Sequence, residues 1–167
     1  MRWLDHREPM PEALRGAIIA LGNFDGFHRG HQAVAGAAID WARAEGRPAI
    51  IATFDPHPVR FFAPDAAPFR LTTLDQRQEL FAAAGADAML VFAFDAELAA
   101  TTADSFVRDL LVGRLGENSL QIITQLAWPQ KIKSELFGSL QQLTRHADHL
   151  FGVAGSVFCG HGDTSRL

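Results

Sequence analysis

A single cysteine, Cys159, is all that the 167 residues contain. A disulfide within the chain is excluded, and so is a zinc site built on several thiolates. The scarcity of thiols points to a reducing compartment. No apolar signal-peptide segment stands in residues 1–16, which are broken by Arg2, Asp5, Arg7, Glu8, Glu12 and Arg15. No run approaches the length of a membrane span. There is no basic surplus either: Lys and Arg number 15 against 19 Asp and Glu, a net charge of −4. A nucleic-acid surface spread over the domain needs a basic stripe, so that class is disfavoured. A small anionic ligand needs only a local pocket and stays open. Internal repeats and low-complexity tracts are absent. A cytoplasmic protein with no membrane or nucleic-acid partner is expected. What remains is ordinary globular material, 48% hydrophobic and 20% charged, enough for one domain with a real core.

Residues 17–21 form a short apolar run, Ala-Ile-Ile-Ala-Leu, ending at Gly22. That suits a strand buried on both faces. A polar turn follows over residues 23–30. Residues 31–45 then read as a helix, with Val34, Ala37, Ala38 and Trp41 at helical spacing and Gly46 as terminator. Residues 49–54 are a second buried strand, which completes a right-handed βαβ unit. Residues 55–68 hold four prolines without periodicity and read as a loop long enough to bind something. A helix capped by Thr73 and closed by Gly85, a strand over 88–94, a helix from Thr102 to about residue 115 with Phe106, Leu110 and Leu111 on one face, and a fourth strand near 120–124 follow. The alternation predicts an α/β fold: a Rossmann-like three-layer sandwich on a parallel sheet. Beyond residue 125 the pattern weakens, with a helix expected over 134–146 and a glycine-rich end.

The chemistry concentrates in residues 22–31, Gly-Asn-Phe-Asp-Gly-Phe-His-Arg-Gly-His. This segment joins the first buried strand to the first helix, and ligands of open parallel sheets bind at the carboxyl ends of the strands. A helix N-terminus offers N–H groups and a positive dipole end to phosphate. Gly22, Gly26 and Gly30 let backbone approach a ligand closely. His28 and His31, three residues apart, share one face if they lie on the first helical turn. Two imidazoles and a row of amides at one phosphate suit phosphoryl transfer. The segment is not a P-loop, because no Gly-Lys-Ser/Thr follows, and its glycines lack the dinucleotide-binding spacing.

The run His28-Arg29-Gly30-His31 resembles the signature of the nucleotidylyltransferase superfamily. The longer string from Gly22 to Gln32 resembles the version found in the FMN adenylyltransferase half of prokaryotic bifunctional riboflavin kinase/FAD synthetases. Thr53-Phe54-Asp55-Pro56-His57-Pro58, then Phe62-Ala63-Pro64 and Arg70-Leu71-Thr72, then Phe94-Asp95 and the stretch from Ser105 to Leu111, resemble further segments of that family in the same order. The resemblance implies transfer of AMP from ATP to FMN, giving FAD and pyrophosphate, with Mg2+. It implies that His28 and His31 are catalytic and touch the ATP phosphates. It assigns Gly22, Asn23, Phe24, Asp25, Gly26 and Gly30 to the ATP pocket together with the two histidines. It places Phe54, Pro56, His57, Pro58 and Thr72 towards FMN. For His57 a second reading stands beside the ligand role: a loop residue pinned between two prolines.

The resemblance stops near Glu117. The family's Asp-Phe-x-Phe-Gly and Ser-Ser-Thr-x-x-Arg segments have no counterpart, since Gln125-Leu126-Ala127-Trp128-Pro129 follows the fourth strand. Residues 1–124 are therefore expected to form a nucleotidylyltransferase domain. Residues 125–167 are an unassigned tail, and a riboflavin kinase domain is not expected. A frameshift, a degenerate remnant or true divergence would each give this break. Three functions follow: FMN adenylyltransferase, a non-catalytic nucleotide-binding remnant, or a nucleotidylyltransferase with another phosphorylated acceptor. The pairs His146/His149 and Cys159/His161 lack a third ligand and read as surface residues.

Overall fold

The computed structural model describes residues 1–65 and 70–113, together with the backbone of 122–125. Its centre is a five-stranded sheet. The strands are β1 (Arg2–Asp5), β2 (Ile18–Gly22), β3 (Ala49–Asp55), β4 (Ala88–Ala93) and β5 (Ile122–Gln125), in the order β1-β4-β3-β2-β5, and every pairing is parallel. Parallel neighbours need long crossovers. Helix α1 (Arg29–Glu45) crosses from β2 to β3, and α3 (Leu74–Ala84) precedes β4. Helices α2 (Pro58–Phe62), α4 (Ala96–Ala100) and α5 (Ala103–Ser105) are short, and α5 runs into a π-helical stretch, Phe106–Val112.

The apolar runs serve two cores because alternate side chains leave opposite faces of a strand. Ile19, Leu21, Ile50, Ala52, Phe54, Leu90 and Phe92 pack with Leu98, Phe106, Val107 and Leu111. Ile18, Ala20, Ile51, Met89 and Val91 pack with Val34, Ala35, Ala38, Ile39 and Ala42 of α1 and Phe81 of α3. The result is the three-layer α/β sandwich expected from the sequence, and each fully buried large side chain contributes about 1.5–3 kcal/mol. The runs at 17–22, 49–54 and 88–93 are adjacent strands of this sheet.

Several local expectations need correction. The charged N-terminus contains β1, which pairs with β4 through Arg2↔Ala88 to Asp5↔Val91. It is an edge strand of four residues with only Leu4 buried, too short for its alternation to stand out. The buried face of α1 includes Ala35, Ile39 and Ala42, while Ala37 is exposed and Trp41 sits at the rim, its indole N–H donating to Glu45 Oε1 at 2.6 Å. Residues 55–68 are not all loop, since α2 forms behind Pro58 at its first turn. The helix expected from Thr102 is three α-helical residues followed by the π-helical stretch, which buries Val107 with Phe106 and Leu111 and leaves Leu110 at the margin. A five-residue step between Phe106 and Leu111 matches i→i+5 winding better than α-helical periodicity. Thr73 does cap α3, in a reciprocal capping box with Gln76. The helix expected at 134–146, the histidine pair and Cys159 lie outside the described residues.

Candidate active site

Residues carrying the signature gather at the carboxyl end of β2. After Gly22 the chain makes one turn of 3-10 helix, Asp25–Phe27, before α1. The turn is less polar than its sequence suggests. Phe24 and Phe27 are buried and meet Phe81 edge-on at 5.8 and 5.1 Å. Both hold left-handed backbone, with φ of 47° and 35°, and Gly26 between them has φ 71°. A non-glycine residue in that region costs on the order of 1–3 kcal/mol, which only an over-determined surrounding sustains. The aromatic cluster beneath the turn provides it.

His28 is the N-cap of α1. Its Nδ1 accepts the backbone N–H of Gly30 at 3.1 Å and that of His31 at 3.4 Å. The sequence pattern offers these amides to phosphate; here the His28 ring covers them, and Nε2 remains as the ring's donor. His31 stacks on His28 with centroids 3.7 Å apart and planes 20° from parallel, and its other side meets Phe24. Burial pushes the His31 imidazole down to a pKa of about 4; neighbouring His28 and Arg77 act in the same direction and Asp25 opposes them. His31 is therefore neutral at pH 7. Its buried Nδ1 has no hydrogen-bond partner. The same holds for both amide atoms of Asn23, a side chain only 7% exposed. Buried polar atoms without partners are uncommon and call for a reason. These three sit in one short segment at the mouth of the sheet.

The remaining predicted residues divide in two. Phe54 lies in the core, 1% exposed, against Phe92, Phe94 and Phe106, so its side chain supports the site from beneath. Thr72 is committed to Asp25, Gly26 and Arg77. Pro56 follows a cis peptide bond, and Pro58 opens α2. His57 caps α2, its Nδ1 accepting the Val59 N–H at 3.1 Å, and burial lowers its pKa. Beyond it Phe61 and Phe62 turn exposed rings beside Phe94, and Phe62 is 64% exposed.

Sequence reasoning missed Arg77. It is 1% exposed and donates to Asn23 O, Thr53 Oγ1 and the Asp25 carboxylate. Burial works to raise the pKa of Asp25, but hydrogen bonds from Leu71 and Thr72 and the Arg77 charge outweigh it and hold the carboxyl below its ordinary range. The signal was present: Leu74, Arg77 and Phe81 fall on one stripe of α3, and an arginine inside an apolar stripe is out of place unless paired.

Residues 10–124 match the family described as FAD synthetase. The chain belongs to that family. Among curated proteins it is 41% identical over 100 residues to the bifunctional riboflavin kinase/FMN adenylyltransferase of Escherichia coli K12, covering 60% of this chain and 32% of that protein. It is 38% identical over 108 residues to the Pseudomonas fluorescens protein of the same name, covering 65% and 34%. With the Listeria monocytogenes protein of that name, identity is 32% over 137 residues, covering 81% and 42%. The chain thus spans about a third of the length of the first two. Among solved structures, one described as a macrolide-efflux protein from Streptococcus pneumoniae superposes with a TM-score of 0.61 at 20% identity, covering 74% of this chain and 42% of that one. That likeness speaks for the fold alone. Among the described residues no helix is long and apolar enough to cross a membrane.

Proposed function

We propose that this chain is an FMN adenylyltransferase, a cytoplasmic enzyme whose partners are the small molecules ATP and FMN. The observation that carries the reading is the stacked His28/His31 pair at the start of α1, beside the orphaned Asn23 amide, in a member of the FAD synthetase family. A phosphate oxygen of FMN attacks the α-phosphorus of ATP. The new P–O bond forms as the bond from that phosphorus to the pyrophosphate oxygen breaks, and pyrophosphate leaves with its electron pair. Charge grows on the phosphoryl oxygens, and preorganised donors lower the barrier. His28 Nε2–H and the neutral His31 ring supply such donors without adding a carboxylate. The N-terminal dipole of α1 adds a favourable field. Asn23 offers one amide donor and one acceptor to the nucleotide. On the other side, His57 and the rings of Phe61 and Phe62 give a mixed polar and apolar surface of the kind an isoalloxazine requires.

The family resemblance implies magnesium. Among the described residues no group of three or more His, Cys, Asp or Glu side chains is placed to hold a metal. Asp25 is paired with Arg77 and Asp55 with Arg70. The described side chains form no all-protein magnesium cage, and magnesium usually binds through one or two carboxylates together with the substrate phosphates.

The test is to incubate the purified chain with ATP, magnesium and FMN and to separate products chromatographically. FAD and pyrophosphate in equal amounts are expected. Absence of FAD, with ATP still bound, would favour the second reading, a nucleotide-binding remnant; that reading draws on Gln125-Leu126-Ala127-Trp128-Pro129 standing in place of the Asp-Phe-x-Phe-Gly segment. FAD absent with FMN but dinucleotide formed with another phosphorylated acceptor would redirect the substrate.

A further inference from the structure

Three segments distant in sequence meet at the Arg77 guanidinium. From α3, Nη1 donates to Asn23 O at 3.3 Å, to Thr53 Oγ1 at 3.2 Å and to Phe54 O at 3.5 Å. Nε donates to Thr72 Oγ1 at 3.2 Å, and Nη2 to Thr72 O at 3.4 Å and Asp25 Oδ1 at 3.3 Å. Asp25 closes the other side. Its carboxylate accepts the N–H of Leu71 and Thr72 and the Thr72 hydroxyl, at 2.8–3.1 Å. The Gly26 N–H donates to Thr72 Oγ1 at 3.0 Å.

Stability alone does not explain this arrangement. An apolar side chain of similar volume in place of a buried ion pair is often neutral or stabilising. What an apolar residue cannot do is join several carbonyls and a carboxylate in fixed directions, which a planar five-donor fork does. The partners matter more than the pair. They are the end of β2, the end of β3 and residues 71–72, the three pieces that border the proposed ATP and FMN sides. Asp25 is also ill suited to touch a triphosphate, since two anions repel; neutralised by Arg77, it serves as a holder.

We propose that Arg77 is a positioning residue for adenylyl transfer. With Asp25 it clasps residues 71–72 to the turn at 23–26 and to the end of β3, and so fixes the histidine-bearing turn relative to the segment that carries His57. The kinetic part of this inference rests on the FMN adenylyltransferase reading; the structural part does not.

The experiment uses the full chain with Arg77→Met and Arg77→Lys, and Thr72→Val as a milder break should Arg77→Met fail to fold. Amide hydrogen exchange at Gly26, Leu71 and Thr72 is followed beside exchange in β3 and β4. Steady-state FAD formation is measured with ATP and FMN varied separately. In Arg77→Met, exchange at the three amides is expected to rise at least about tenfold while β3 and β4 stay protected. The kcat should fall about a hundredfold with the KM for ATP little changed, as for misplaced reacting groups. Arg77→Lys should recover little, because charge without the fork joins fewer partners. Thr72→Val should raise exchange at Gly26, lower kcat by about tenfold and lower the melting temperature by a few degrees, because the Gly26 N–H and Arg77 Nε lose their shared acceptor. Unchanged exchange at the three amides in a folded variant overturns the clasp, and so does wild-type kcat in Arg77→Met or full recovery by lysine. If the wild-type chain forms no FAD, the functional reading fails, and the exchange result alone decides the clasp.

Discussion

The turn after β2 and the segment after β3 border the same end of the sheet, yet they are built in opposite ways. The first is wired from every side. Phe24 and Phe27 are buried under it, His28 caps the helix beyond it, and Asp25 and Gly26 are bonded to Thr72. The second holds one short helix capped by His57 and shows two phenylalanine rings to solvent. Preorganisation is worth most where charge develops in a transition state, because a rigid donor needs no reorganisation. It is worth least where a large flat ligand must enter and leave. On the functional reading proposed above, the chemistry belongs to the first region and acceptor binding to the second, and each prediction tests one side of that division.

The largest expected effect falls on the support of the rigid side. Phe81 is 0% exposed and packs against both Phe24 and Phe27. Phe81→Ala should lower unfolding free energy by about 3–5 kcal/mol, the usual cost of emptying such a site. Chemical denaturation measures it, and a loss under about 1 kcal/mol would show that the turn does not depend on this cluster.

Next come the histidines. Loss of a donor aimed at a developing oxyanion costs about a hundredfold or more in rate. For His31→Ala that loss in kcat is expected with a modest fall in stability. His28→Ala is a less clean probe than the sequence suggests, because it also removes a helix cap worth about 1 kcal/mol. His28→Asn keeps a good capping side chain and removes the imidazole. It should melt near wild type and still lose FAD formation. If His28→Asn retains full activity, His28 serves only as a cap.

Much of the fold was legible beforehand, and the part of the candidate site that was not has a physical pattern. The strands at 18–22, 49–55 and 88–93 announced themselves as apolar runs, and the glycine-rich segment between strand and helix pointed to the candidate site. Elements set by a few polar contacts stayed hidden. Histidine is not a favoured capping residue, so His28 as the cap of α1 and His57 as the cap of α2 left no signal. The prolines at 56 and 58 read as breakers, although Pro58 stands where proline starts a helix. The bonds from Arg77 to Asn23 and Thr53 span 54 and 24 residues, and no local window contains them.

A smaller effect is the pH response of the rigid side. The His31 pKa is about 4 in the fold against 6.5 for the free group. The unfolded chain therefore binds the proton more readily between those values. Stability is complete above about pH 6.5 and falls as pH drops towards 4, where the folded ring also protonates. His28, Asp25 and Arg77 face the ring and enter the balance. His31→Gln should flatten the denaturation midpoint between pH 6.5 and 4 relative to wild type. Identical slopes in the two proteins would mean that His31 is not held neutral by its surroundings.

The smallest structural effect belongs to the open side. Phe62 is 64% exposed and touches Phe61 and Phe94 by ring edges. Its truncation leaves no buried cavity, so Phe62→Ala should change stability by no more than about 0.5 kcal/mol. Its value, on the functional reading, lies in offering a face to the acceptor. Aromatic pairs contribute about 0.5–1.5 kcal/mol beyond the area they bury. That converts to roughly a twofold to twelvefold rise in the KM for FMN, at 1.4 kcal/mol for each factor of ten. On the same reading the KM for ATP should stay unchanged, because that reading puts the nucleotide at the other region. Phe62→Ala thus reverses the profile of Phe81→Ala: nearly silent in denaturation, visible only when FMN is varied. An unchanged KM for FMN would remove acceptor binding from this patch and leave the second region without its assigned task. A parallel rise in the KM for ATP would instead show that the two regions do not divide the substrates between them.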